Sequence, residues 1–279
     1  VYKRQVWILG GDGAYTGEFE QRWKNIGRRV FEGDPPGLAA QHPHGHSWIG
    51  EVYKDEAWLD IVGYQSSHSN TRGTVDWINK GPMAAMWDKL PARPIMNLEP
   101  NYEMIRHQIT SEDVRNASYW SLFATPVSGL TYGHNSIWPW LREGESILNH
   151  SMPDGYPAWG EAISHPGSTQ VGYLAEFIRS FEWWKFRPAG ELLAEQPGNE
   201  VYNHFISIAR NPENGTILAY LPKKGEVKIF NLLNSRYEGQ WFDPVENIFS
   251  DVEILVENNV LRAASPKDQD MVLILTRKK

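Results

Sequence analysis

From residue 6 to about residue 187 the chain repeats one order: a short apolar run, then polar or acidic residues, then a stretch with helical spacing. Val6-Trp7-Ile8-Leu9 runs into Gly10-Gly11-Asp12, and Phe19, Trp23 and Ile26 follow at helical intervals. Leu38-Ala39-Ala40 leads to His42-Pro43-His44-Gly45-His46, and Leu59-Asp60-Ile61-Val62 to Tyr64-Gln65-Ser66-Ser67-His68. A helix is expected from Val75 to Leu90. Pro94 to Leu98 ends in Glu99-Pro100, with a helix expected from Val114 to Phe123, and Gly129 to Tyr132 ends in Gly133-His134-Asn135. Val171, Leu174, Phe177, Ile178 and Phe181 form the apolar stripe of a last helix. Strands alternating with helices build βαβ units on a parallel sheet, with active sites at the C-terminal strand ends. No G-x-G-x-x-G opens a helix, which favours a barrel over a doubly wound sheet. Five units are legible where a barrel needs eight. Residues 6–187 are therefore expected to form the C-terminal part of a (β/α)8 TIM barrel, about strands 4 to 8.

After Trp183-Trp184 and Arg187-Pro188 the pattern becomes short β-rich runs: Phe205 to Ala209, Thr216 to Leu221, Val227 to Phe230, Val252 to Val256 and Met271 to Leu275. Asn214-Gly215 between two of them is a hairpin signal, and Pro222, Gly225 and Asn258-Asn259 supply further turns. Residues 188–279 are expected to form a small antiparallel β-sandwich. Residues 1–5, Val1-Tyr2-Lys3-Arg4-Gln5, match what a transposase adapter from a sequencing library would encode if translated. They are set aside as an expected artefact of a metagenomic fragment, with about three barrel units and a secretion signal expected upstream. An open barrel leaves unpaired strand edges and an apolar wall, so the polypeptide as written is expected to be insoluble or inactive.

Composition narrows the chemistry. The net charge of −7 comes without clustered Lys or Arg, which argues against a nucleic-acid partner. No run of eighteen apolar residues suggests a membrane span. With no cysteine there is no disulfide, thiolate nucleophile or thiolate metal site. The 13 Trp are mostly expected in packing, but indole faces also suit sugar rings.

Asp12 and Glu99 carry the sharpest chemical signal. Each follows a strand, and in one barrel both would face one cavity. Two carboxylates are the minimum apparatus of glycoside hydrolysis, one protonating the leaving oxygen while the other attacks or activates water. Glu99 comes three strand units after Asp12, so with three units missing the pair falls on strands four and seven, as in many retaining glycosidases on this barrel. An acid near neutral pH needs a raised pKa, from burial or a neighbouring carboxylate. Glu103 could be that neighbour, although a salt-bridge role is favoured. His42, His44 and His46 open a metal-dependent hydrolase as an alternative. Hydrogen bonding of His42 to sugar hydroxyls is preferred, and no metal or cofactor is expected. Gln65, Ser66 and His68 form a second polar cluster, and Tyr132, His134, Asn135 and Trp138 a third with an aromatic platform.

These residues together resemble a known family. Gly10-Gly11-Asp12, His42-Pro43, Gln65-Ser66 with His68, Glu99-Pro100 with Tyr102-Glu103, Val114-Arg115, Tyr119-Trp120-Ser121-Leu122-Phe123, and Thr131-Tyr132-Gly133-His134-Asn135 with Trp138 look like the apiosidase-type glycoside hydrolases. Pro166-Gly167 and Trp241-Phe242-Asp243-Pro244 resemble the domain that follows in that family, which is named for collagen binding in collagenases. The resemblance spans about residues 6 to 279. It implies a (β/α)8 barrel and retaining hydrolysis of pectin side chains in the plant cell wall, with Asp12 as acid/base and Glu99 as nucleophile. It also implies an oligo- or polysaccharide substrate, contacts from His42, Gln65, His68, Tyr102, Tyr132, His134, Asn135 and Trp138, and a secreted or periplasmic bacterial protein. The chain departs from the family pattern at Gly13-Ala14-Tyr15 and at Leu98, positions expected to border the sugar. A non-catalytic carbohydrate-binding relative is the other alternative, and collagen binding by the C-terminal domain is a weaker expectation.

Overall fold

The computed structural model describes residues 5–33, 37–148, 150–232 and 234–278, apart from the side chains of 127 and 128. Four of the five residues expected to be an adapter, 1–4, lie outside the described residues. The first half of the chain runs β1 (Val6–Gly13), α1 (Glu20–Val30), β2 (Leu38–Pro43), β3 (Val62–Gln65), α2 (Arg72–Lys80), α3 (Pro82–Met86), β4 (Ile95–Glu99), α4 (Ser111–Ala124), β5 (Val127–Leu130), α5 (Trp159–Ala162) and α6 (Pro166–Arg179). β1 pairs with β2, β3 with β4 and β4 with β5, all parallel, and a parallel bridge from Ala40 to Ile61 joins β2 to β3. The five strands thus stand side by side in chain order, with β1 and β5 at the edges.

Two elements differ from expectation for local reasons. The expected helix from Val75 to Leu90 is two helices, because Pro82 has no N–H to extend the ladder. Gly81 adopts extended backbone and closes α2 through its N–H to Trp77 O at 2.9 Å. β3 begins at Val62, not Leu59, because the Asp60 carboxylate accepts the Ala39 N–H at 2.8 Å. α4 starts at a capping box in which the Thr110 side chain accepts from Asp113 N and Asp113 accepts from Thr110 N. It is buried along most of its length because other elements cover it on both sides.

The second half runs β6 (Arg187–Pro188), β7 (Ser207–Arg210), β8 (Ile217–Leu221), β9 (Glu226–Phe230), β10 (Tyr237–Asp243), β11 (Ile248–Asp251), β12 (Leu255–Glu257), β13 (Val260–Ala264) and β14 (Met271–Arg277). A six-stranded sheet has the order β11-β10-β14-β8-β7-β6 and a three-stranded sheet the order β12-β13-β9; every pair is antiparallel. Alternation along β14 shows how the layers pack. Met271, Leu273 and Leu275 join Val227, Ile229, Leu261 and Ala263 between the two sheets. Val272 and Ile274 point the other way, into a cluster with Ile78 of α2, Trp120 of α4 and Phe177 of α6. The middle of the six-stranded sheet, around β8 and β14, is therefore buried on both faces, and one apolar core runs from the helices into the C-terminal sheets. Arg115 of α4 crosses this junction to Asp270, with Nε–Oδ2 at 2.9 Å and Nη2–Oδ1 at 2.6 Å, both side chains buried.

Candidate active site

Both carboxylates sit where a strand breaks register. In β1 the shift falls between Leu9 and Gly13, and Asp12 itself has φ 45°. Gly10, at φ 70°, is required twice over: a Cβ there would lie 2.1 Å from the Tyr15 hydroxyl. Tyr15 is buried beneath this turn, edge-on to Trp23 at 4.8 Å. In β4, Tyr64 pairs with Asn97 but Gln65 pairs with Glu99, so Leu98 is the extra residue. Bulges of this kind re-aim side chains beside active sites. Asn97 donates to Ser66 Oγ at 3.0 Å and to Ser121 Oγ of α4 at 2.9 Å, while Glu99 turns toward the histidines.

Glu99 is held on both oxygens. His42 Nε2 lies 3.2 Å from Oε2 and His68 Nε2 lies 2.7 Å from Oε1. The Asp12 backbone N–H donates to His42 Nδ1 at 3.0 Å, so a neutral His42 carries its proton on Nε2 and donates it to Glu99. One imidazole thus ties the Asp12 backbone to the Glu99 carboxylate. His68 Nδ1 faces Pro100 O at 3.0 Å and Tyr102 N at 3.2 Å, and its ring leans on Tyr102 with centroids 4.4 Å apart. Burial alone would raise the Glu99 carboxyl, but the hydrogen bonds and charges of His42 and His68 outweigh it and bring it down to about 2. The Tyr102 phenol is raised, first by burial and then by the charges of Glu99 and Asp12, so both carboxylates act on one hydroxyl, which stays a neutral donor.

The remaining expected site residues separate into groups. Gln65 is buried beside Glu99, with no hydrogen-bond partner on its Oε1. His44 faces Gly45 O at 3.0 Å, and His46 faces Ser66 O at 3.0 Å and stacks on Trp77. The three imidazoles of the loop therefore take different partners, and among the described residues no three His, Cys, Asp or Glu converge as metal ligands. Tyr132 donates to Glu103 Oε2 at 2.7 Å. His134 and Asn135 are fully buried. His134 Nδ1 accepts from Ser136 N at 3.0 Å, so Nε2 donates to His165 Nδ1 at 3.0 Å; burial and then His165 lower its pKa to about 4. Trp138 is partly exposed, edge-on to His150.

Three supporting residues take roles that the sequence did not show. Tyr15 and Asn97 act through packing and a bulge that no spacing rule reveals. Glu103 was expected in a salt bridge, yet it is buried and accepts from the Tyr132 hydroxyl and from Gly167 N at the start of α6, where unpaired amides favour a carboxylate. Leu98 and Tyr15, expected to border the sugar, are buried, Leu98 against Gly63.

Residues 1–185 match the family described as Apiosidase-like, catalytic domain. No curated protein matches the chain. Among solved structures the fold is similar to one named glycoside hydrolase, with 22% identity and a TM-score of 0.82, covering 97% of this chain and 64% of that one. It is likewise similar to a glycoside hydrolase family 5 structure from Bacteroides vulgatus, with 24% identity and a TM-score of 0.83, covering 97% and 61%. An alpha-amylase from H. orenii aligns more distantly, at 11% identity and a TM-score of 0.57, over 96% and 60%. The chain spans less than two thirds of each of these proteins. By the match over about two thirds of its length, well beyond half, the chain belongs to the apiosidase-like catalytic-domain family.

Proposed function

We propose that this chain is the catalytic part of a retaining glycoside hydrolase acting on plant cell-wall polysaccharide. The observation that carries this reading is Glu99: a carboxylate at a strand end, held ionised by the N–H groups of two imidazoles, one of which also accepts from the Asp12 backbone N–H on its other nitrogen. An ionised, oriented carboxylate is what a glycosidase nucleophile requires. The Glu99 oxygen forms a bond to the anomeric carbon as the glycosidic C–O bond breaks, and Asp12 gives its proton to the departing oxygen. Asp12 then takes a proton from water, whose oxygen displaces Glu99. On this reading Tyr102 bonds a sugar hydroxyl beside this carbon, while Gln65, whose Oε1 is buried, backs the strand end that carries Glu99. Tyr132, Glu103, His134 and Asn135 position the loops instead, since their polar atoms are buried or spent on one another.

On this reading β1 to β5 are strands 4 to 8 of a (β/α)8 barrel, residues 6–187, and residues 188–279 are a β-sandwich that packs on its helices. Asp12→Asn and Glu99→Gln together test it. Glycan binding should survive while hydrolysis of pectic oligosaccharide is lost. Hydrolysis that persists in the double variant would refute the assignment, and binding without turnover in a chain whose barrel is completed by further βα units would favour a carbohydrate-binding relative.

A further inference from the structure

The loop that leaves β5 holds an exposed indole that folding stability does not explain. Trp140 is 63% exposed and sits at φ 54°, in the left-handed region that a bulky side chain rarely occupies. A strained backbone that presents an apolar ring to water loses free energy twice, and such strain gathers at ligand clamps. Trp140 packs edge-to-face on Trp159, the first residue of α5, with centroids 4.9 Å apart and planes at 74°. Trp159 is itself 36% exposed, so the two indoles form a right-angled corner open to solvent.

The corner is tied to the end of the sheet that carries Glu99. Trp159 N donates to Leu141 O at 2.7 Å, and Leu141 N to Ser136 O at 3.0 Å. Ser136 lies three residues from Gly133, where a Cβ would be 2.1 Å from the Tyr102 ring, and Tyr102 leans on His68 beside Glu99. The neighbouring residues Arg142, Glu143, Glu145 and Ser146 are exposed and polar. The same stretch also exposes Trp138, Leu148 and Ile163, but Trp140 and Trp159 are the two indoles that meet as a corner. They suit a pyranose or furanose ring, whose C–H face lies on indole while its hydroxyls stay wet.

We propose that Trp140 and Trp159 form a platform for a sugar residue beyond the cleavage site, selecting polymeric glycan over short fragments. This rests on the glycosidase reading and adds a residue class it does not need. In a chain carrying the βα units that complete the barrel, the test compares the unaltered protein with Trp140→Ala, Trp159→Ala and Trp140→Phe, on soluble pectin and on the shortest pectic oligosaccharide it cleaves. Each Ala variant should raise KM for pectin roughly tenfold, the effect of losing one well-seated aromatic contact. Trp140→Phe should restore most of it, and kcat on the short fragment should hold. Unchanged KM on pectin, or equal loss on both substrates, would overturn the proposal. Affinity electrophoresis in pectin gels, with Glu99→Gln protein as background, reads the platform without turnover. Retardation that depends on Trp140 in a protein that hydrolyses nothing would sink the glycosidase reading alone; hydrolysis with retardation indifferent to Trp140 would sink the platform alone. A Trp140→Ala change in oligomeric state with unaltered glycan binding would also overturn it.

Discussion

The behaviour of Glu99 depends on two opposed effects at a single residue. Burial pushes its proton on, and the imidazole N–H groups of His42 and His68 push it off, leaving the carboxyl at about 2. As the proposed nucleophile, which works only when ionised, Glu99 would stay competent down to strongly acidic pH in the unaltered protein. Replacing His68 with Ala removes the 2.7 Å donor and leaves burial less opposed. The folded pKa then rises, and activity that needs the ionised form disappears at a higher pH. The expected result is an acidic limb of the kcat/KM profile displaced upward in His68→Ala. An unmoved limb would show that another group sets it. Glu99→Gln, which cannot attack at all, should cost on the order of 10³-fold or more in kcat by the standard of nucleophile removal; kcat from initial rates at saturating pectic oligosaccharide is the check.

At the scale of elements, Thr110→Ala tests the capping box that opens α4. It should cost about 1 kcal/mol in denaturant unfolding, and no loss would mean that packing alone holds that helix. The strand ends were readable because an apolar run closed by Asp12, by Glu99-Pro100 or by a histidine leaves a local mark. His42 and His68 were readable for the same reason. The bulges at Gly10 to Asp12 and at Leu98 were not, because a register break depends on the neighbouring strand. Tyr15 and Asn97, which rely on those bulges, were hidden with them. In the second half, β8 and β14 were legible as apolar runs buried on both faces. β10, with Glu238, Gly239 and Gln240 near its start, and β11, exposed throughout, lacked that mark. Asn258 and Asn259, at φ 48° and 62°, make the turn between β12 and β13 that their sequence suggested.

Across the whole molecule the two halves share a core and a buried ion pair. Arg115 bonds Asp270 twice and Gln170 Oε1 at 2.6 Å, and the Tyr220 hydroxyl lies 3.0 Å from Asp270 Oδ2. Removing one partner strands the other charge, so Asp270→Asn should destabilise the protein by about 3–5 kcal/mol. Because Tyr119 stacks on Tyr220 in the same junction, both halves should melt in one transition by calorimetry. Two separate transitions would show that the junction does not couple them. At the far side Val6, Trp7 and Ile8 of β1 are exposed, and an apolar trough lined by Leu122, Leu130, Leu174, Ile178 and Trp183 runs beside β5. No helix among the described residues is long and apolar enough to cross a membrane. Further βα units between β5 and β1 would cover both surfaces. A chain carrying such units should be more soluble than residues 6–279 alone, as sedimentation of the two would show. The pairing of Asp12 and Glu99 as acid/base and nucleophile is tested most directly by the anomeric configuration of the first product. Proton NMR of pectic oligosaccharide in the opening minutes of hydrolysis should show the released sugar with the anomeric configuration of the bond cleaved, before mutarotation; release of the opposite anomer would contradict the account.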